Sequence, residues 1–230
     1  MAVRIDSVYQ KVLALANKEQ RGYITPQEFN LFANHAQMEI FEQYFYDENQ
    51  FGRSSGNSTE YSDMLDLLNE KISIFKTREI LSVVSGAAPY PLNLYRIGGL
   101  YQESNQGLVE IPQVNQNELS YIQNSLLLSS SRAYTTEGET IYVHPVASAL
   151  YSVELTYVKK PALVEWNYSI VGEHALYDNG LNSVDFELHP SEEGSLVIKI
   201  LSLAGITLKD AGIYQTASAE ESKKIQQEKQ

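Results

Sequence analysis

The sequence contains no cysteine. That removes disulfides, cysteine-ligated zinc and thiol nucleophiles together, and it fits a reducing cytosol without requiring one. Long apolar runs are missing too. The most apolar stretch, LVIKILSLAGI at 196–206, carries Lys199 and falls well short of the roughly 20 residues a membrane span needs. The N-terminus, MAVRIDSVYQKVLALANK, spreads charge through its apolar positions and shows no small-residue cleavage pattern, so no signal peptide is read there. A soluble protein is expected. Cations are scarce: 17 Lys and Arg stand against 29 Asp and Glu, a net charge of −12. This argues against wrapping DNA or RNA, because phosphate affinity comes from Lys and Arg. Neither a Walker A loop nor a G-x-G-x-x-G fingerprint occurs, and Gly98-Gly99 alone is too weak to invoke phosphate binding. The four histidines, His35, His144, His174 and His189, never fall at the i,i+4 spacing of a helical metal pair.

What is present is a chain of 230 residues, 43% apolar and 20% charged, able to bury a sizeable core in one large domain or two small ones. Its 16 tyrosines are the oddest feature, suited equally to interfaces and to a β-rich core. Residues 5–18 place Val8, Val12, Leu13 and Leu15 at mostly helical spacing, with Asp6 or Ser7 as the cap. A second helix opens at Thr25, with Pro26 at its first position, Glu28 completing a capping box, and Ile24 and Phe29 placed as a hydrophobic staple. Phe29, Phe32, Ala33, Ala36, Ile40 and Tyr44 line one face of it, while Leu31, Met38 and Phe45 form a second stripe. A helix with two apolar stripes is covered on two sides, the second by another layer or by a neighbouring molecule.

GRSSGNST at 52–59 reads as a loop. A third helical pattern spans 60–80, with Tyr61, Met64, Leu65, Leu68, Ile72 and Phe75 on its apolar face. The period then changes to extended segments at 89–103 and 107–114, with a short helix capped by Asn115 and Glu118. A hairpin follows at 132–145 around Glu137-Gly138, and a strand at 151–161 stops at Pro161. Helix returns after Pro190, with Glu192 and Glu193 in its first turn, Leu196, Val197, Ile200, Leu201 and Ala204 on one face, and Gly205 as the stop. Residues 216–230 hold one large apolar residue, Ile225, and read as a polar tail, frayed or ordered against a partner.

Residues 17–28, NKEQRGYITPQE, match an EF-hand loop in length, with Gly at the sixth position and Glu at the twelfth. The ligands would be Asn17, Glu19, Arg21, the Tyr23 carbonyl, Thr25 and Glu28. Arg21 puts a fixed positive charge where a ligand belongs, and the capping box already claims Glu28, so no calcium site is expected. In DFELH, Asp185, Glu187 and His189 alternate and would share one face of a strand. That face is either a solvated strand edge or the site of a divalent ion, in a soluble binding module or a hydrolase.

The order of NKEQRGYITPQEFNLFANHAQMEIF, then IYVHP, VELTYVKKPA and Trp166, then DFELHPSEEGSLVIKILSLAGITLKD resembles structural proteins of short-tailed phages, including crAss-like phages. Within that group it is most similar to the head-to-tail connector, the adaptor or ring protein of tail tubular protein A-like architecture. The resemblance covers most of 5–212. It implies an α+β fold in which N- and C-terminal helices pack as one layer around an intervening β-rich block. The expected organisation is a single connector domain over 1–215, helical over 1–85 and 190–213 and β-rich over 86–189, followed by the tail. It further implies a ring of about twelve copies, with the portal protein above and a tail or further ring protein below. Genomic DNA would pass through without specific binding, helped by an acidic channel wall. No cofactor, no catalysis and no membrane are implied, and the protein would be made in the host cytoplasm for the neck of the virion. Leu31, Met38 and Phe45 become candidates for the inter-subunit face, and Lys223, Lys224 and Ile225 for a portal-contacting arm. Another tail ring or a tail-completion protein is the alternative within the virion.

Overall fold

The computed structural model describes residues 3–18, 24–53, 59–104, 107–125, 132–146, 151–172, 174–178, 182–207, 219 and 222–223. Its elements in chain order are α1 (Ile5–Lys18), α2 (Pro26–Arg53), α3 (Thr59–Ser73), β1 (Lys76–Val83), β2 (Ala87–Pro89), β3 (Leu94–Ser104), β4 (Gly107–Ile111), α4 (Gln116–Asn124), β5 (Ala133–Glu137), β6 (Thr140–His144), β7 (Tyr151–Lys159), β8 (Tyr168–Val171), β9 (His174–Tyr177), a 3₁₀ turn (Pro190–Glu192) and α5 (Glu193–Thr207). The fold is α+β, and the chain divides into two compact units. One joins Met1–Ile74 to Pro161–Gln230; the other is Phe75–Lys160.

In the first unit α5 packs on both α1 and α2, and α3 packs on α2, so the N- and C-terminal helices form one layer. Ile5, Val8, Tyr9, Val12 and Ala16 are the buried stripe of α1, whereas Leu15 faces outward. The cap of α1 differs from the expected Asp6 or Ser7. Val8 N–H donates to the Arg4 carbonyl, and the carboxylate of Asp185 accepts from Ile5 N–H at 2.8 Å. The first-turn donor is thus met by a residue remote in sequence, which no local pattern could announce. The expected start of α2 is present in full. Glu28 accepts from the Thr25 N–H at 3.0 Å and from its hydroxyl at 2.8 Å, and Glu28 N–H donates to the Thr25 hydroxyl oxygen. Ile24 and Phe29 on either side are buried. Gly205 does not stop the last helix: it is buried inside the final turn of α5.

In the second unit a four-stranded sheet runs in the order β1-β7-β3-β4 and a three-stranded sheet in the order β2-β6-β5, every pairing antiparallel. Leu81, Val83, Leu100, Ile111, Val153, Leu155 and Tyr157 from the first sheet join Ala88, Tyr134, Ile141 and Val143 in one core. Ser85 and Gly86, both at positive φ (51° and 81°), make the two-residue turn from β1 to β2. The hairpin β5–β6 turns at Gly138-Glu139, one residue later than the sequence suggests, with Gly138 at φ 57°. α4 carries its expected cap, the Glu118 carboxylate accepting from Asn115 N–H.

Two boundaries move. The third helix ends at Ser73, not at 80, because Lys76–Val83 pairs along its whole length with β7. The helical and β-rich parts therefore divide at Ile74/Phe75 rather than 85/86. At the other end, residues 161–189 join the helical unit instead of the β-rich one.

Candidate functional site

Besides its apolar stripes, α2 carries a polar one. Asn30, Asn34 and Gln37 recur at intervals of four and three, so their side chains share a face. Along that face runs the extended segment 162–166. Asn34 donates from Nδ2 to the Val164 carbonyl and accepts from Val164 N–H, both at 2.9 Å. Asn30 treats Trp166 the same way, accepting from its N–H at 2.9 Å and donating to its carbonyl at 3.3 Å. Gln37 donates to the Ala162 carbonyl at 2.8 Å, and its own carbonyl accepts from Glu187 N–H at 3.2 Å. Helical side-chain amides thus stand in for a neighbouring strand. The opposite edge of the segment exchanges two backbone bonds between Glu165 and Val184. This polar stripe is the feature the apolar-pattern reading missed; the Asn-x₃-Asn-x₂-Gln spacing was its signal.

Trp166 ends the clamped segment at the centre of an aromatic cluster. Its ring lies 4.1 Å from Tyr9, 5.7 Å from Tyr168 and 5.6 Å from Tyr177, the last two stacked. Its indole N–H donates to the Asp6 carboxylate at 3.1 Å. One buried ring therefore anchors α1, the extended segment and the base of the β8–β9 hairpin.

The second stripe of α2 does not behave as one surface. Leu31 is 71% exposed, Met38 is half-buried, and Phe45 is buried with its ring 5.1 Å from Phe41. Of the three, Leu31 is the open position. In the tail, Lys223 is exposed, while Lys224 and Ile225 lie outside the described residues.

The acidic DFELH face is spent on structure. Asp185 caps α1, Glu187 accepts from Ala162 N–H at 3.1 Å, and His189 Nδ1 accepts from Ser191 N–H at the start of the 3₁₀ turn. The segment is not a regular strand, although Val184 and Phe186 make isolated bridges to Glu165 and Val3. Among the described residues, no group of three His, Asp or Glu side chains could hold a metal ion. Residues 19–23 of the EF-hand-like stretch lie outside the described residues. Glu28, its twelfth position, is held by Thr25, and the bond from the Thr25 backbone N–H lowers its pKa. His35 pairs with Glu39 at 3.1 Å, and Lys199 of α5 meets the same carboxylate at 3.0 Å.

Among the described residues, the most buried charge is Glu192. It pairs with Lys71 of α3 at 2.6 Å and accepts from the Ser195 hydroxyl at 2.8 Å. In the second unit the Tyr157 hydroxyl donates to the Glu79 carboxylate (3.0 Å) and lies 2.9 Å from the Asn93 side-chain amide. Burial first, then the hydrogen bond to Glu79, raises the pKa of this phenol. No family model matches the chain, and no curated protein matches it. Among the described residues, no helix is long and apolar enough to cross a membrane.

Proposed function

We propose that this chain is a structural protein of a phage virion: a head-to-tail connector that forms a ring of about twelve copies, docks on the portal and links it to the tail. The observation that carries the reading is the resemblance in the quoted blocks: the one around α2, the order IYVHP, VELTYVKKPA and Trp166, and the one around α5. Within the helical unit, the first block, Trp166 and the last block are tied together by the fold. α5 packs on α2, the α2 amides clamp the segment leading to Trp166, and Asp185 of the third block caps α1. The formal charge of −12 suits a protein lining a channel through which DNA slides without sticking. In this reading the protein performs no catalysis, and its partners are copies of itself, the portal above and a tail or further ring protein below.

Mass spectrometry of purified particles tests the reading. The chain is expected among the virion proteins, in about the portal's copy number. Its absence from particles would overturn the proposal. Its presence in tails purified free of portal would instead make it a later tail ring. Binding to duplex DNA at physiological salt is expected to be undetectable, and measurable affinity would remove the channel argument.

A further inference from the structure

The sheet β1-β7-β3-β4 has two open edges. β1 pairs only with β7 and β4 only with β3. Just past their C-terminal ends Val84 exchanges two backbone bonds with Ala87, and Pro112 and Val114 bond Tyr134. Along Lys76–Val83 and Gly107–Ile111 themselves no other backbone bond, among the described residues, reaches the outer side. Unpaired edges invite another strand, and natural proteins blunt them with prolines, bulges, short strands or charged side chains, of which β1 has the last in Lys76, Arg78 and Glu79. β1 runs eight residues, KTREILSV, with no proline and an unbroken register against β7. β4, GLVEI, exposes Leu108 and Val109.

The two edges fit each other. All neighbours in the sheet are antiparallel, so with four strands β4 runs opposite to β1, and a second copy set edge to edge continues the alternation. The faces continue as well. Ile80, Glu154, Tyr101 and Glu110 form one row across the sheet, which places Leu108 and Glu110 on the same face as Arg78 and Ile80. In the antiparallel register that sets Leu108 opposite Ile80 of a second copy, Glu110 falls opposite Arg78. Both apolar residues are open, Ile80 at 74% and Leu108 at 53% exposure. Arg78 is itself largely exposed, with a long 3.4 Å contact to Glu154. On the other face, the pairs are Val109 with Glu79 and Ile111 with Thr77, with no like charges opposed.

We propose that β4 of one copy adds to β1 of the next, so that this protein associates head to tail through its sheet edges. Such a contact is heterologous and generates a ring when the rotation closes. It gives the proposed connector ring its inter-subunit contact and rests on that reading for closure alone.

The absence of cysteine gives a clean background for the test. A chain carrying both Ile80→Cys and Leu108→Cys, concentrated and mildly oxidised, is expected to give a ladder of intermolecular disulfides. Directly opposed antiparallel residues lie about 4.5–5.5 Å apart, within disulfide range. Within one copy the two positions are three strand spacings apart, about 14 Å, so no internal link competes. Ile80→Cys with Val109→Cys puts the thiols on opposite faces and should link about tenfold less. Glu110→Arg should slow linking roughly fivefold, and adding Arg78→Glu should restore it. Either of two results overturns the proposal: Leu108→Cys alone linking as fast as the pair, or no intermolecular product from variants that melt like the parent. A missing ladder from a chain still found in particles removes the edge contact alone. A ladder from a chain absent from particles keeps the contact and removes the connector.

Discussion

Asn34→Ala removes both bonds that hold Val164, whose N–H and carbonyl meet the Asn34 amide at 2.9 Å each. Val164 is buried, so neither peptide group finds water readily. Each group left without a partner costs about 1–3 kcal/mol, and the better helix propensity of alanine returns about 0.5 kcal/mol. The expected net loss is about 1.5–5.5 kcal/mol. Asn49→Ala is the control on the same helix. Among the described residues, Asn49 bonds the Phe45 carbonyl one turn back and no other element, so its removal should stay within about 0.5 kcal/mol. Urea unfolding followed by fluorescence is well placed to read the difference, because the chain's one tryptophan, Trp166, sits two residues along the clamped segment. With a slope of about 2–3 kcal/mol per molar for a chain of this size, the midpoint should drop by at least about 0.5 M at constant slope. A midpoint for Asn34→Ala no lower than that of Asn49→Ala would refute the claim that the amide ladder holds the segment.

Glu192→Ala should cost about 3 kcal/mol by leaving Lys71 unpaired, while replacing both residues by methionine should recover most of it in the same assay. Tyr134, Tyr151 and Tyr157 are each raised above the ordinary tyrosine value, burial being the first cause. A raised folded-state value means their contribution is full below the ordinary value and is lost as pH rises through the raised one. In an alkaline titration, these phenols should ionise last and together with loss of the β-rich unit; early ionisation with the fold intact would contradict this. Glu28 is lowered, so its contribution is present above the ordinary carboxylate value and disappears as pH falls through the folded one. The melting temperature of the parent should fall more steeply on acidification than that of Glu28→Ala.

Sequence carried the local chemistry well. The Thr25-Pro26-Glu28 start, the Asn115-Glu118 cap and the alternating β7 are decided within a few residues, and each stands where it was read. What stayed hidden depended on partners far along the chain. TREILSV has apolar residues that extend a helical stripe, and only its pairing with β7 makes it a strand. Asp185 reads as a carboxylate of a solvated strand edge or of an ion site until Ile5 N–H is seen beneath it. Phe45 reads as an interface residue until Phe41 stands beside it. The amide ladder was hidden for a different reason: a polar stripe on a helix ordinarily means solvent, and here it means a bound backbone.

The β-rich unit begins and ends at one place. Lys159 N–H donates to the Phe75 carbonyl at 2.9 Å, and the next rungs, Lys76 with Val158 onward, zip entry to exit. Phe75–Lys160 is therefore a cassette on a single two-strand stem, and the helical unit is a discontinuous host for it. Insertions whose ends meet are the kind that evolution exchanges without rethreading the host. Parts of the chain on either side of the stem can thus change at different speeds: the host held by α2's grip on 162–166, the cassette free to follow whatever it must touch.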